Sequence, residues 1–155
     1  MDFRMKASHH AFLLLALFPI PKFLERNPEI RGVLDSRIFH AIMDFVLKPL
    51  KKTAEIGMMM TDPLGWRRFC FTPLVAYIVD TPESAMIAGV AGKTSSVTTA
   101  SYKNFGDAHR HPSRTRDHTI AQLRRLEKTT DPWDLRPYIK KAKLHRLNGV
   151  HRPFW

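Results

Sequence analysis

The sequence predicts an α/β fold, with an α+β arrangement as the alternative, because a strand signal and several helix signals occur in one short chain. The strand signal is the run at 74–79, which is apolar and rich in β-branched and aromatic residues. The helix signals are apolar residues that recur at helical spacing in 37–50, 119–127 and 132–147. At 155 residues the chain can bury the core of one domain.

Residues 11–18 are apolar on every face, which predicts a strand or short helix that enters a core. Eight apolar residues are too few to cross about 30 Å of hydrocarbon, so we expect no membrane span here. The predicted helix at 37–50 follows Asp35 or Ser36, either of which offers an N-cap, and Pro49 lies close to its expected end.

The stretch 74–88 is the centre of the prediction, since its strand is followed directly by an acid and a helix. Pro82 suits the first turn of a helix that runs to residue 88 and ends at Gly89. Asp80 then lies at the tip of the strand, where α/β proteins commonly place chemistry. The alternative is that Asp80 only caps the helix. Upstream, Cys70 lies in a probable strand and is interpreted as a buried, inert thiol.

Positive charge is concentrated in the last third of the chain. The net charge is +11, and residues 103–155 hold 13 basic against 5 acidic side chains. This asymmetry indicates a polyanionic partner, nucleic acid first and an anionic membrane surface second, although a solvated basic face is the alternative. The candidate phosphate contacts are Arg110, Arg114, Arg116, Arg124, Arg125, Lys140, Lys141 and Lys143. Trp133, Phe154 and Trp155 are candidates for stacking on bases, with packing favoured for Trp133.

The segment 93–118 shows no sustained apolar period and predicts an irregular, exposed connector. Three histidines, at 109, 111 and 118, fall within ten residues and raise the question of a zinc site. Because no cysteine lies nearby and arginines at 110, 114 and 116 repel a cation, the sequence disfavours that site.

Several segments resemble one known family. Ile78-Val79-Asp80-Thr81-Pro82-Glu83 resembles the acid-aromatic-Pro-Glu signature of Plavaka-type transposases, which are DDE-type transposable-element proteins abundant in mushroom-forming fungi. The segments 11–22, 38–41, 47–50, 131–135 and 147–155 are similar to the family's segments and occur in the family's order. The resemblance therefore covers nearly the whole chain.

The resemblance implies a partial RNase H-like core over 1–92, followed by the connector 93–118 and a basic helical segment over 119–155. It also implies a nuclear location, DNA as the partner, and a parent enzyme in which acids from separate elements hold two Mg²⁺ or Mn²⁺ ions for strand cleavage and transfer. Asp80 would be the catalytic, metal-binding acid of this strand. Thr81 replaces the signature's aromatic residue, and the family's earlier acidic strand and last acidic helix have no counterpart here.

One carboxylate cannot position two metals. We therefore expect a fragment of a cut-and-paste DDE transposase that is inactive alone and retains a basic, nucleic-acid-binding surface. The alternatives are a domesticated, non-catalytic module that binds nucleic acid or protein, and a non-functional remnant.

Overall fold

A helix of 29 residues, α1 (Pro28–Ile56), supplies the surface on which the last helix and the C-terminal tail pack. The computed structural model describes residues 14–155. After α1 come β1 (Met58–Thr61), β2 (Arg67–Cys70), α2 (Thr81–Ile87), α3 (Arg116–Thr129) and α4 (Leu135–Leu144). Helices and an antiparallel strand pair together confirm a mixed α/β class. The sheet within residues 14–155 consists of these two strands, so an RNase H-like core stays a prediction.

The long helix begins earlier than the sequence predicted. Asn27 is its N-cap, since the side-chain Oδ1 accepts a hydrogen bond of 3.0 Å from the Glu29 amide, and Pro28 occupies the first turn. The expected cap at Asp35 or Ser36 is wrong. Ser36 lies inside the helix, where its hydroxyl donates to the Gly32 carbonyl at 2.9 Å.

Pro49 does not end α1, which continues for seven further residues to Ile56. A proline inside a helix removes the hydrogen bond to the carbonyl four residues earlier, here that of Phe45. Phe45 is 80% exposed, so water can reach this side of the helix. The following turn is reinforced by Thr53, whose hydroxyl donates to the Pro49 carbonyl at 2.7 Å. The helix then ends at Gly57, which has a φ of 68°.

The strands β1 and β2 form an antiparallel hairpin in which Met58 is opposite Cys70 and Thr61 is opposite Arg67. Asp62 closes the connection, since its Oδ1 accepts hydrogen bonds from the amides of Leu64 and Trp66. The prediction of a strand at Cys70 is confirmed. Its thiol is only half-buried, because the hairpin stands away from the core clusters.

The predicted buried strand at 74–79 is wrong. The segment forms no ladder with any strand in the described part of the chain, and its apolar side chains face solvent, with Val75 90% and Ile78 97% exposed. A strand requires a neighbour that supplies ladder hydrogen bonds, and within residues 14–155 β1 and β2 pair only with each other. The expected core element at 11–18 is likewise not buried where the structure describes it, at Leu14 to Phe18. Residues 11–13 lie outside the described residues.

The core consists of three apolar clusters that join α1, α3, α4 and the C-terminal tail. Leu123 and Leu126 of α3 meet Tyr138 and Ala142 of α4 together with Leu147. On its other side α4 packs Ile139 against Ile30 and Val33 of α1. Met43 and Leu47 of α1 cover Phe154 of the tail. Helix α4 therefore lies between α1 and α3.

The last two predicted helices exist, although α4 is three residues shorter at each end than the predicted 132–147. The predicted helix at 119–127 lies within α3, and its first turn is capped by Thr115. Helix α4 begins at Leu135 rather than at the expected residue 132, because the Asp131 carboxylate accepts from the Trp133 amide at 2.9 Å and stabilises a turn before the helix. No helix within residues 14–155 has an apolar stretch long enough to cross a membrane.

Candidate nucleic-acid interface

The outward face of α3 carries the α3 cation row, which we define as Arg124, Arg125 and Lys128. The helix turns Thr119, Leu123 and Leu126 inward, where they are buried. At about 3.6 residues per turn, the three cations lie on the opposite side, and all three are exposed. Lys128 was missed from the sequence, although its spacing of three and four residues from the two arginines indicates the same face.

The exposed face of α4 carries the α4 cation row, which consists of Arg136, Lys140 and Lys143. Their spacing of four and three residues places them on one side of the helix, next to the buried face formed by Tyr138, Ile139 and Ala142. The row borders a cavity of about 340 Å³ whose other wall is the beginning of α1. The positive end of the α1 dipole adds to the local positive potential. Arg136 was not among the predicted contacts.

Lys143 pairs with a carboxylate across this cavity. Its Nζ lies 2.6 Å from Oε1 of Glu29, and both side chains are about half exposed. Exposed ion pairs contribute about 0–1 kcal/mol to stability. A phosphate can therefore replace Glu29 as the partner of Lys143 at little cost to the fold.

Two of the predicted phosphate contacts hold the protein's own backbone. Arg114 is half-buried and its Nε donates to the Ser95 carbonyl at 3.1 Å, while burial lowers its pKa. The Nζ of Lys141 donates to the Thr129 carbonyl at 3.0 Å, at the end of α3. These contacts fix the connector and the last turn of α3, so both side chains position the fold before any ligand binds.

Arg110 and Arg116 are exposed, and Arg116 is the first residue of α3. Arg116 borders a cavity of about 270 Å³ together with Arg114 and the Trp155 ring. Of the eight predicted contacts, four lie in the two cation rows: Arg124 and Arg125 on α3, and Lys140 and Lys143 on α4. Arg110 and Arg116 are exposed but lie outside the rows.

The aromatic candidates for base stacking differ in exposure, and the order is not the one that the sequence predicted. Phe154 is buried in the cluster with Met43 and Leu47. Trp155 is half-buried, and its indole Nε1 donates to the Ile87 carbonyl at 2.6 Å. Trp133 is 71% exposed in the turn before α4, with its ring edge-on to His151 at 5.2 Å between centroids. The expected packing role of Trp133 is wrong, and its ring is the one available to a ligand.

Asp80 is the N-cap of α2. Its Oδ1 accepts a hydrogen bond of 2.9 Å from the Glu83 amide, and the side chain is exposed. Within the described residues, no group of three or more potential metal ligands includes Asp80. Its surroundings therefore do not fit a two-metal centre, and its metal role stays a prediction.

A buried arginine that sequence reasoning missed lies between α1 and the tail. The Nε of Arg37 donates to the Gly149 carbonyl at 3.0 Å. The guanidinium lies over two rings, 5.8 Å from the centroid of Trp133 and 5.3 Å from that of Tyr138. Its Nη1 and Nη2 are buried without a hydrogen-bond partner in residues 14–155. The helical spacing of Arg37 from Val33 was the one signal that it faces inward.

Arg37 also determines the electrostatics of a neighbouring cavity of about 490 Å³, which His151 and Arg152 help to line. Burial lowers the pKa of Arg37, and the neighbouring Tyr138, whose phenol carries a charge only in strong alkali, partly opposes this shift. Burial, followed by the charges of Arg37 and Arg152, lowers the pKa of His151 to about 4. At neutral pH the histidine is therefore neutral, and positive charge at this cavity resides on the two arginines.

Comparison with known proteins identifies the family. The family model described as Plavaka transposase matches residues 1–155. Neither a curated protein nor a solved structure matches the chain. The chain therefore belongs to the Plavaka transposase family.

Proposed function

We propose that this chain binds nucleic acid through the α3 and α4 cation rows, as a non-catalytic part derived from a transposase. The observation that carries the proposal is the α3 cation row, since Arg124, Arg125 and Lys128 face solvent from a helix whose other side is locked into the core. Membership of a transposase family supports DNA as the polyanion.

The proposed contacts are to phosphates. Lysine and arginine side chains on a helix surface reach the backbone of a duplex and fix its position without reading base edges. The two rows lie on helices that share one apolar cluster, and the proposal has both rows contact a single backbone. Trp133, which stands exposed beside α4, is the proposed stacking surface for an unpaired base.

The test is binding to a generic DNA duplex over a range of salt concentrations. Each phosphate contact contributes a slope of about −0.9 in log affinity against log salt. Combined substitution of Arg124, Arg125 and Lys128 by glutamine is expected to weaken binding strongly and to flatten that slope by about two to three.

A matched control removes the same charge elsewhere. Lys48, Lys52 and Arg67 are exposed and lie on α1 and β2, away from both rows. Their combined replacement by glutamine is expected to change binding much less. Equal losses in the two triple variants would show a diffuse charge effect and reject the interface. Binding that did not respond to salt would reject phosphate contact altogether.

The proposal includes no strand cleavage by this chain alone. Support comes from Asp80, whose carboxylate caps α2 and joins no group of three ligands in the described residues. A nuclease and strand-transfer assay with Mg²⁺ or Mn²⁺ checks this part. Cleavage that was present in the wild type and lost in Asp80→Ala would contradict it.

A second candidate function is association with a protein partner. It is favoured by the exposed apolar segment after β2, in which Leu74, Val75 and Ile78 are between 53% and 97% exposed. Substituting all three by serine is expected to abolish any self-association or partner binding and to leave DNA binding unchanged. Loss of DNA binding in that variant would show that one surface serves both functions.

A further inference from the structure

Three side chains of the irregular segment between α2 and α3 converge on one point. The Nε2 of His111 lies 3.0 Å from Oδ2 of Asp107, and the Nε2 of His109 lies 4.0 Å from the same oxygen. One ligand atom from each of the three residues lies within 4.8 Å of the other two. The imidazole rings of the two histidines are 4.8 Å apart between centroids.

These separations suit a small tetrahedral ion. Ligands at about 2.0–2.1 Å from zinc are roughly 3.3–3.4 Å from one another at the tetrahedral angle. Small side-chain rotations bring the three atoms to that spacing, because His109 is exposed and the segment that carries it is irregular. Two imidazole nitrogens and one carboxylate oxygen favour zinc or another late first-row divalent ion over magnesium, which prefers oxygen.

The surroundings orient two of the three groups. The Nδ2 of Asn104 lies 3.3 Å from Oδ2 of Asp107 and can donate to it, which holds the carboxylate towards the histidines. The side chain of His111 is only 20% exposed. Its Nε2 lies at ion-pair distance from Asp107, yet this buried nitrogen makes no hydrogen bond within residues 14–155. A buried imidazole nitrogen without a hydrogen bond is a ready metal ligand.

The nearby arginines oppose a cation less than their positions in the sequence indicate. Arg114 is turned away to the Ser95 carbonyl, at 3.1 Å from its Nε. Arg110 is exposed, so water screens its charge. The carboxylate of Asp107 offsets one positive charge at the site itself.

We propose that Asp107, His109 and His111 bind one zinc ion, or a late first-row ion in its place, with water as the fourth ligand. The site differs from the sequence-based cluster, which named His118 and omitted Asp107. His118 instead lies in the first turn of α3, where its Nε2 is 3.3 Å from Nε2 of Gln122. A bound ion would bridge residues 107 and 111 and fix the loop that carries Arg110.

The test uses the full chain with any affinity tag removed, titrated with Co²⁺ as a spectroscopic probe for zinc. We expect one cobalt per chain, the visible absorption of a tetrahedral nitrogen and oxygen site, and displacement by one equivalent of Zn²⁺. His111→Gln and Asp107→Asn are each expected to weaken binding at least about tenfold.

His118→Gln is the matched control, because it removes an exposed histidine a few residues away that is not in the cluster. It is expected to leave the cobalt affinity unchanged, and far-ultraviolet circular dichroism checks that every variant is folded. A stoichiometry well above one, or equal losses in His118→Gln and His111→Gln, would overturn the proposal. So would a wild-type chain with no tetrahedral cobalt spectrum. Because no nucleic acid is present, none of these results depends on the proposed DNA binding.

Discussion

The imidazole of His40 accepts a hydrogen bond from the backbone amide of Phe154, with 3.2 Å between Nδ1 and the amide nitrogen. Its other nitrogen, Nε2, lies 3.1 Å from the Met86 carbonyl and donates to it. One neutral ring, 1% exposed, thus joins α1, α2 and the C-terminal tail. Protonation would put a hydrogen on Nδ1, which faces a donor, so the neutral form is required.

The first prediction concerns the pH dependence of stability. Burial lowers the pKa of His40, and the hydrogen bond to Met86 only partly opposes this. Since the unfolded chain then binds the proton more readily, stability is full above the unfolded pKa of about 6.5 and is lost as pH falls below it. His40→Leu should lower the free energy of unfolding by about 1–3 kcal/mol at pH 8 and flatten the decline at acidic pH. Urea denaturation measures both effects, and an unchanged decline in the variant would contradict the assignment.

The second prediction concerns the charge on Arg37. The pKa of His151 is about 4, because of burial and then the charges of Arg37 and Arg152. Arg37→Met should therefore raise that pKa, and Arg152→Met should raise it by less. A titration of the His151 ring followed by NMR gives the values directly. A pKa that stayed near 4 in Arg37→Met would show that the charge of Arg37 is not one of the causes.

The third prediction separates the two roles considered for Asp80. As an N-cap it accepts from the Glu83 amide, a role that an asparagine performs about as well. Asp80→Ala should lower the free energy of unfolding by about 0.5–2 kcal/mol, while Asp80→Asn should change it by only a few tenths. Hydrogen exchange of the amides of α2 is the local measurement. An equal loss in both variants would show that the negative charge, rather than the cap, is what matters.

The fourth prediction uses two glycines with positive φ near the hairpin. A Cβ on Gly57 would lie 2.4 Å from the Phe69 ring, whereas one on Gly65 would meet nothing within 4 Å. Gly65→Ala should destabilise the hairpin by about 1 kcal/mol through its backbone conformation alone. Gly57→Ala should destabilise it more, because Phe69 must also move. Hydrogen exchange of the β1 and β2 amides compares the two, and equal losses would mean that the ring adjusts freely.

The helices were predictable because their signals are local. The apolar spacing of Leu123 and Leu126, and of Tyr138 and Ala142, is visible in the sequence and matches their buried faces. The same helical spacing predicted that the arginines of α3 lie on the side opposite these leucines. Pro49 misled the prediction, since whether a helix continues past a proline depends on solvent and on Thr53 on the next turn.

The prediction of a strand at 74–79 was wrong because strand pairing is not a local property. Its composition is that of a strand, but pairing depends on a distant partner that local sequence does not reveal. The cluster of Asp107, His109 and His111 required the turn at Gly106 to be known, because alternation in the sequence alone does not say which ligands face one another. The spacing of Arg37 from Val33 indicates an inward face of α1, but the sequence does not show that the tail packs on the guanidinium.

The hydrogen bond from Lys141 to the Thr129 carbonyl joins the last turn of α3 to α4. Together with the shared apolar cluster, it makes the two cation rows parts of one rigid body. The distance between the two rows is thus fixed before a ligand binds. A ligand that contacts both rows would then restrict only the motion of their side chains. In the proposed complex with nucleic acid, the fixed spacing of the two helices would determine which phosphates along a backbone the two rows contact at the same time.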